Sequence, residues 1–249
     1  MRAEAEAPFR SLRLVLSGFS VVSASLGFLI SIPQLIGALG GARSALPLEQ
    51  VYQNLAIDAG AAALFAFFFN QDWQARNKQI ARLTREERLG ALPIRLASGK
   101  SLSLATLRGN ARVVIAAGTR AQVGAALREA EPLRAELTKR GVLVVPLPIY
   151  ETDAGESGSE QLPPLTPEDL RWRAEPLRLP EWTAWFEEQV SYSAKAKPEN
   201  GLFVGLRLDG RVRSSGSGVP PWRRYALELA PLEGDGKWTG FFDGFDGRV

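Results

Sequence analysis

The stretch between Arg13 and Arg43 contains no charged residue, and this constrains the fold more than any other feature of the chain. This run, residues 14–42, is longer than the about 20 apolar residues that a helix needs to cross a bilayer core of about 30 Å. Pro33, near the far end of the run, predicts a kink or a helix end there. Small residues in the run would let a second helix approach closely. These are Ser17, Gly18, Ser20, Ser23, Ser25 and Gly27.

A second apolar stretch covers residues 51–69 and is interrupted only by Asp58. Trp73 follows in a polar sequence, and a tryptophan at this place is typical of an anchor at the membrane interface. The first run is too long for a secretory signal, and a second candidate span follows it closely. The sequence therefore predicts a transmembrane hairpin of two helices in residues 14–71, after an N-terminal segment 1–13.

The distribution of basic residues predicts the orientation of this hairpin, because cytoplasmic loops are enriched in Lys and Arg. The loop between the two runs carries Arg43 alone. Both termini are therefore expected on the cytoplasmic side, or on the stromal side of a plastid membrane. The flanking basic residues are Arg2, Arg10 and Arg13 before the first run, and Arg76, Lys78, Arg82, Arg85 and Arg88 after the second.

Residues 72–91 have few helix breakers and many basic side chains. They predict a helical stem that continues the second span beyond the membrane. Such a stem is either a solvated helix or a basic collar that binds anionic lipid head groups or an acidic loop of a partner.

Residues 92–249 show alternating strand and helix patterns. A hairpin is predicted around Gly99, then a buried strand that ends at Gly118, a helix capped by Thr119 and stopped by Gly141, and a second buried strand. Pro132 predicts that this helix is kinked or made of two pieces. An amphipathic helix and a hairpin turning at Asp209-Gly210 follow.

This order predicts a thioredoxin-like α/β domain, and the composition then excludes several activities for it. The chain has no histidine and no cysteine. The absence of these two residue types excludes thiol exchange and nucleophilic catalysis by Ser–His or Cys–His pairs. It also excludes zinc sites of the usual kind. At the place of a redox pair, the sequence reads Ala116 to Arg120 without a thiol.

Residues 151–169 are acidic, contain no basic side chain and are rich in Gly, Ser and Pro. This composition predicts an exposed, mobile insertion in the α/β domain. Its charge could attract a basic partner, but a solvated loop is the simpler interpretation.

Several segments resemble the Low Photosystem II Accumulation 1 family. They are APFRSLRLVLSGFSVVSASLGFLI, NLAIDAGAAALFAFFF with its basic stem, VVIAAGTRAQV, GVLVVPLPI and FVGLRLDGRVRSSGSGVPPW. The resemblance extends from Pro8 to about Tyr225. It implies a thylakoid membrane protein that assists assembly or repair of photosystem II. Plant and algal members carry tetratricopeptide repeats before the hairpin, so this chain resembles a short, cyanobacterial-type form. The family offers no catalytic residues to transfer.

Three groups of residues are candidates for binding partners. Asp58 is costly in a membrane, so it is expected to contact a partner helix, to contact Ser23 or Ser25, or to lie hydrated near the membrane surface. Trp73, Arg76 and Lys78 belong to the predicted collar. Trp222, Arg223 and Arg224 follow a Gly- and Pro-rich segment and form either a recognition surface or, for Trp222, part of the core.

A further candidate is a hard-metal site at Asp243 and Asp246, although these residues match no complete calcium loop. The aromatic tail around them is expected to cover an apolar surface. We predict no metal and no cofactor.

The sequence therefore predicts a non-enzymatic, membrane-anchored assembly or repair factor. Its expected partners are photosystem II reaction-centre core subunits or other assembly factors, together with membrane lipid and without nucleic acid. Two alternatives are a stable accessory subunit of a membrane complex and a membrane-tethered enzyme that uses carboxylate chemistry.

Overall fold

A computed structural model describes residues 9–150, 162–193 and 196–232. The chain divides into two compact units, Met1–Thr84 and Arg85–Val249. The tail with Asp243 and Asp246, most of the acidic insertion and Arg2 lie outside the described residues.

The first unit contains two long helices, α1 (Arg10–Leu39) and α2 (Leu48–Ala91, whose last residues belong to the second unit). Both are long and apolar enough to cross a membrane. The prediction of two long apolar helices is therefore confirmed, and residues 72–91 are helical up to Ala91.

Pro33 lies inside α1 and does not end it, so of the two predicted effects of this proline, a kink or a helix end, the helix end is wrong. Proline removes one backbone donor, but a long helix retains the bonds of the flanking turns. The helix ends instead at Leu39, where the N–H of Gly40 still donates to the carbonyl of Ile36 at 2.9 Å.

The second unit has a four-stranded sheet with the strand order β4-β3-β6-β7. Strands β3 and β4 are parallel, β6 is antiparallel to β3, and β7 is antiparallel to β6. The predicted order of a strand, a helix and a second strand, with a later hairpin, is confirmed, and the first two strands are parallel. The strands are β3 (Arg112–Gly118), β4 (Val142–Pro148), β6 (Leu202–Leu206) and β7 (Val212–Ser217).

A smaller antiparallel sheet, with the order β2-β1-β5, lies in the same unit. Its first hairpin turns at Gly99, which has a φ of 81° and therefore adopts a conformation that favours glycine. The strands are β1 (Pro93–Leu96), β2 (Ser101–Ser103) and β5 (Ala174–Pro176).

The helix between β3 and β4 is interrupted at Pro132, as the sequence predicts. It consists of α3 (Arg120–Ala130), a 3-10 turn (Glu131–Leu133) and α4 (Arg134–Lys139). The remaining helices are α5 (Leu179–Ser191) and α6 (Trp222–Glu228). Short 3-10 turns cover Leu104–Leu107, Pro167–Asp169 and Pro198–Asn200.

Two hydrophobic clusters hold the unit together, and each contains residues of β3 and β4. Alternate residues of a strand point to opposite faces, so Ile115 enters one cluster and Val114 the other. Trp182 and Phe186 of α5 pack in the first cluster, as their amphipathic spacing predicts. Trp222 packs in the second cluster.

Candidate functional site

Asp58 faces α1 at Gly27 rather than at Ser23 or Ser25. A Cβ atom added at Gly27 would lie 2.8 Å from Oδ2 of Asp58, so only a glycine leaves space for this carboxylate. Ser31 on α1 donates to the carbonyl of Gly27 at 3.1 Å. The expected contact of Asp58 with the first helix is therefore present, but it involves a backbone segment instead of a serine hydroxyl.

A second close approach between the helices occurs at Gly18. An added Cβ there would lie 3.3 Å from Cε2 of Phe69. The small residues of α1 thus allow near contact with α2 at two levels, which is the packing mode of helix pairs in membranes.

The charged end of the hairpin is held by polar contacts between α1 and α2. Arg13 donates to Oδ1 of Asp72 at 2.9 Å, and Arg10 hydrogen-bonds Gln79. Beside these contacts lies a cleft of about 700 Å³, lined at one end by Arg10, Arg13 and Asp72. The sequence reasoning used the two arginines only as orientation signals and did not predict a cleft.

Trp73, Arg76 and Lys78 lie on the exposed part of α2. The ring of Trp73 stacks on Phe69 with 5.9 Å between centroids, and the Arg76 guanidinium lies 5.5 Å from the centre of the Trp73 ring. An aromatic ring with a cation above it suits the boundary between apolar and polar surroundings.

Trp222 is 3% exposed, so its ring contributes to the core and is not available to a partner. This corresponds to the alternative in which the residue is part of the core. Arg223 and Arg224 are exposed, and Arg224 donates to both carboxylate oxygens of Glu228 at 2.8 and 2.9 Å. Of this candidate group, the two arginines alone reach the surface.

Tyr225, one turn after Pro221, connects α6 to the sheet. Its hydroxyl lies 2.6 Å from the Ser214 hydroxyl on β7. Burial raises the pKa of the Tyr225 phenol, and the hydrogen bond with Ser214 offsets part of this effect. The group therefore acts as a neutral structural hydrogen-bonding residue at neutral pH.

The side-chain amide of Gln122 takes part in capping the start of α3. Thr119 and Gln122 form a capping box, in which Gln122 Oε1 accepts from the Thr119 N–H at 2.9 Å. The Gln122 amide nitrogen donates to the carbonyl of Glu199 at 2.7 Å, and so ties this end of α3 to the segment before β6. The sequence predicted the cap from Thr119 but not the second bond.

Asp169 is a buried acid that the sequence reasoning assigned to a solvated loop. It is 5% exposed and pairs with Arg173 at 2.9 Å and with Arg134 at 3.3 Å. Burial alone would raise the pKa of this carboxyl, but the hydrogen bond from the Thr166 backbone and the pairing with Arg173 outweigh burial and lower it. The spacing Thr166-Pro167-Glu168-Asp169, a capping-box pattern, was the signal that could have identified it.

A groove of about 530 Å³ lies beside β1 and β5 and is lined mainly by proline and other apolar side chains. Its acidic lining residue is Glu175, which pairs with Arg95 on the neighbouring strand. Among the residues that the structure describes, no group of three acidic, histidine or cysteine side chains could hold a metal ion.

Comparison with known families identifies the N-terminal part of the chain. Residues 1–73 match the model of the family described as Low psii accumulation1 / Rep27. The family resemblance is thereby confirmed over this segment, which includes α1 and the whole apolar stretch 51–69 of α2.

Among solved structures, the chain is similar to a crystal structure of a protein from Aquifex aeolicus VF5 that is assigned to electron transport. The identity is 14%, the match covers 58% of this chain and 96% of that chain, and the TM-score is 0.36. A likeness at this level carries no argument about fold or function.

Proposed function

We propose that this chain is a membrane-anchored, non-enzymatic factor that assists the assembly or repair of photosystem II. One observation carries the proposal: the segment that matches the Low psii accumulation1 / Rep27 family forms two apolar helices whose side chains are largely unburied.

The exposure of the two helices supports insertion in a bilayer. In the most apolar 18-residue segment of each helix, only 6% is buried, whereas a core helix of a soluble protein would be mostly buried. Phe19 is 73% exposed and Val22 66%. Apolar surface of this extent calls for lipid or a partner to cover it.

The basic side chains support an orientation with both ends of the hairpin on the cytoplasmic side. Arg10 and Arg13 at the start of α1, and Arg76 and Lys78 on α2, flank the apolar segments. The connection between the helices has Arg43 as its basic residue. This asymmetry follows the rule that positive charge stays on the cytoplasmic side.

We infer that the α/β unit is thioredoxin-like. The strand order β4-β3-β6-β7, with one parallel pair and an antiparallel hairpin, supports this assignment. Where a redox pair would begin the first helix of such a domain, this chain has Thr119 and Gln122 in a capping box. A domain without a thiolate cannot exchange disulfides, which supports a role in binding for this unit.

The alternative of a carboxylate enzyme would need two converging acids in a deep pocket. The proline-lined groove offers Glu175, which is already paired with Arg95. This arrangement favours a role in binding over acid–base chemistry.

The proposal is tested by affinity purification of the tagged chain from detergent-solubilised photosynthetic membranes, with mass spectrometry of the attached proteins. We expect photosystem II core subunits in incompletely assembled complexes, with the chain below stoichiometric amount. A stoichiometric chain in the mature complex would instead indicate a stable accessory subunit. Recovery of no photosystem II subunit would contradict the proposal.

A further inference from the structure

We propose that the cleft at the charged end of the hairpin is a binding site for one anionic membrane lipid, with the head group at Arg10 and Arg13 and an acyl chain along Phe65 and Phe68. This inference rests on the membrane insertion included in the proposed function. It assigns to the hairpin a specific ligand in addition to its role as an anchor.

The cleft has the amphipathic lining that such a ligand requires. One end carries Arg10 and Arg13, and the other carries Leu16, Phe65 and Phe68. Positions 10 and 20 of α1 both line it, so it extends about 15 Å along the helix. A small anion without an acyl chain would occupy the charged end only, whereas an anionic lipid would fill both ends of the cleft.

The charge at the polar end is positive despite the presence of an acid. Asp72 is the acidic residue of the lining, and it pairs with Arg13. Arg10 bonds the neutral side chain of Gln79, and its Nε is buried without a hydrogen-bond partner among the described residues. Among the residues that the structure describes, Arg10 therefore has no acidic partner, and the side chain of Arg13 is 63% exposed.

The position of the cleft selects lipid over other anions. Arginines between two membrane helices on the cytoplasmic side are a known mode of binding anionic head groups. Leu16 is 56% exposed and Phe68 46%, so the apolar half opens toward the surroundings of the helices. In a bilayer those surroundings are acyl chains, one of which can enter the cleft without passing through water.

The test is native mass spectrometry of the full chain, extracted in neutral detergent with phosphatidylglycerol or phosphatidylcholine. We expect the wild-type chain to retain one phosphatidylglycerol in preference to phosphatidylcholine. Arg10→Gln with Arg13→Gln is expected to weaken this retention by about 30-fold, since two basic contacts are lost.

Two matched controls separate the cleft from the basic collar. Arg76→Gln with Lys78→Gln removes the same charge at the same end of the hairpin but outside the cleft, and is expected to retain the lipid.

Ser20→Phe fills the cleft without changing the charge and is expected to lose the bound lipid. Ser23→Phe, an exposed position one turn further along α1, is expected to retain it.

Equal losses in the two double variants would overturn the proposal in favour of a nonspecific collar. Equal retention of both lipids, or unchanged retention in Ser20→Phe, would also overturn it. Inorganic phosphate at matched ionic strength is expected to leave lipid retention unchanged, and displacement of the lipid by phosphate would contradict the role of the acyl chain.

Resistance to alkaline extraction is measured in parallel for every variant. Wild-type chain that is released from membranes would refute the anchor itself, whereas an anchored chain without lipid selectivity would refute only the lipid site. If the arginine variant fails to insert, the Ser20→Phe and Ser23→Phe pair decides.

Discussion

At the scale of single residues, the contact of Asp58 with Gly27 joins the two helices of the hairpin. The carboxylate occupies the space that a side chain at position 27 would need. A carboxylate inside a bilayer is costly, so in the proposed membrane insertion its placement against the backbone of α1 would limit its contact with acyl chains.

Gly27→Leu is expected to separate the two helices, because overpacking of a close contact costs about 1–3 kcal/mol. The measurement is the distance between spin labels on Val22→Cys and Leu64→Cys, two exposed positions in a chain without native cysteine. We expect a longer and broader distance distribution in Gly27→Leu.

Gly37→Leu is the matched control, since an added Cβ at Gly37 meets nothing within 4 Å. It should leave the distance unchanged. Adding Asp58→Ala to Gly27→Leu should shorten the distance again, because the smaller side chain makes room. A distance in Gly27→Leu equal to that of wild type would show that the helices do not pack at this glycine.

The buried pair of Asp169 and Arg173 gives a prediction for the stability of the α/β unit. Asp169→Asn leaves a buried arginine without its counter-charge, which costs about 3–5 kcal/mol. Urea unfolding of the detergent-solubilised chain, followed by tryptophan fluorescence, measures this loss. Asp209→Asn, which removes an exposed acid from a turn, is expected to change stability by at most about 0.5 kcal/mol.

The same acid predicts how stability depends on pH. The pKa of Asp169 is lower in the folded chain than its ordinary value of 3.8. Its contribution is therefore complete above pH 3.8 and is lost as the pH falls through the lower folded value. Wild type should lose more stability than Asp169→Asn over this acid range, and parallel curves would contradict the ion pair.

At the scale of elements, the proposed exposure of α1 to lipid can be tested with one charge. Leu26→Arg places a charge in the middle of the first apolar run, which costs about 2.5–3.5 kcal/mol on insertion scales. We expect a smaller fraction of the chain to resist alkaline extraction from membranes.

Leu227→Arg is the control for this change. Leu227 on α6 is 81% exposed, and Leu26 is 57% exposed, so both are apolar side chains on a helix surface. Insertion should be unaffected in Leu227→Arg. Equal insertion of both variants would indicate that α1 does not cross the bilayer at this point.

The elements that the sequence predicted correctly are those with local signals. Gly99 and Gly210 mark hairpin turns, Thr119 marks a helix start, and Pro132 marks the break between α3 and α4. Each signal depends on a few neighbouring residues, so it can be recognised in the sequence without knowledge of the fold.

The contacts that the sequence did not predict join residues far apart in the chain. Gln122 bonds a carbonyl at Glu199, and the cleft between α1 and α2 depends on which faces of two helices meet. Asp58 was expected to contact a partner helix, to contact Ser23 or Ser25, or to lie near the membrane surface, and the structure places it against Gly27. The rotation of one helix about its axis decides such a contact, and composition alone does not set it.

At the scale of the whole molecule, the proposed insertion of the hairpin would keep the α/β unit close to the membrane. Tethering raises the effective concentration of a binding surface near membrane subunits, so modest affinity suffices for a transient helper. The surface arginines Arg223 and Arg224 are available for such a contact, whereas Trp222 is not.

The proposed orientation predicts which parts of the chain lie on the same side of the membrane. Ser11→Cys and Ser98→Cys are expected to react with an impermeant maleimide from the cytoplasmic side, and Ser44→Cys in the connecting loop from the opposite side. The absence of native cysteine leaves no background labelling. Labelling of all three positions from one side would contradict a spanning hairpin.

The most direct measurement of the central claim is pulse-labelling of photosystem II in photosynthetic cells depleted of this chain. We predict slower appearance of newly made reaction-centre complexes, with unchanged turnover of complexes assembled before depletion. Restoration should require a chain that resists membrane extraction, so that wild type and Leu227→Arg succeed and Leu26→Arg fails. An unchanged rate of new assembly in depleted cells would contradict the account.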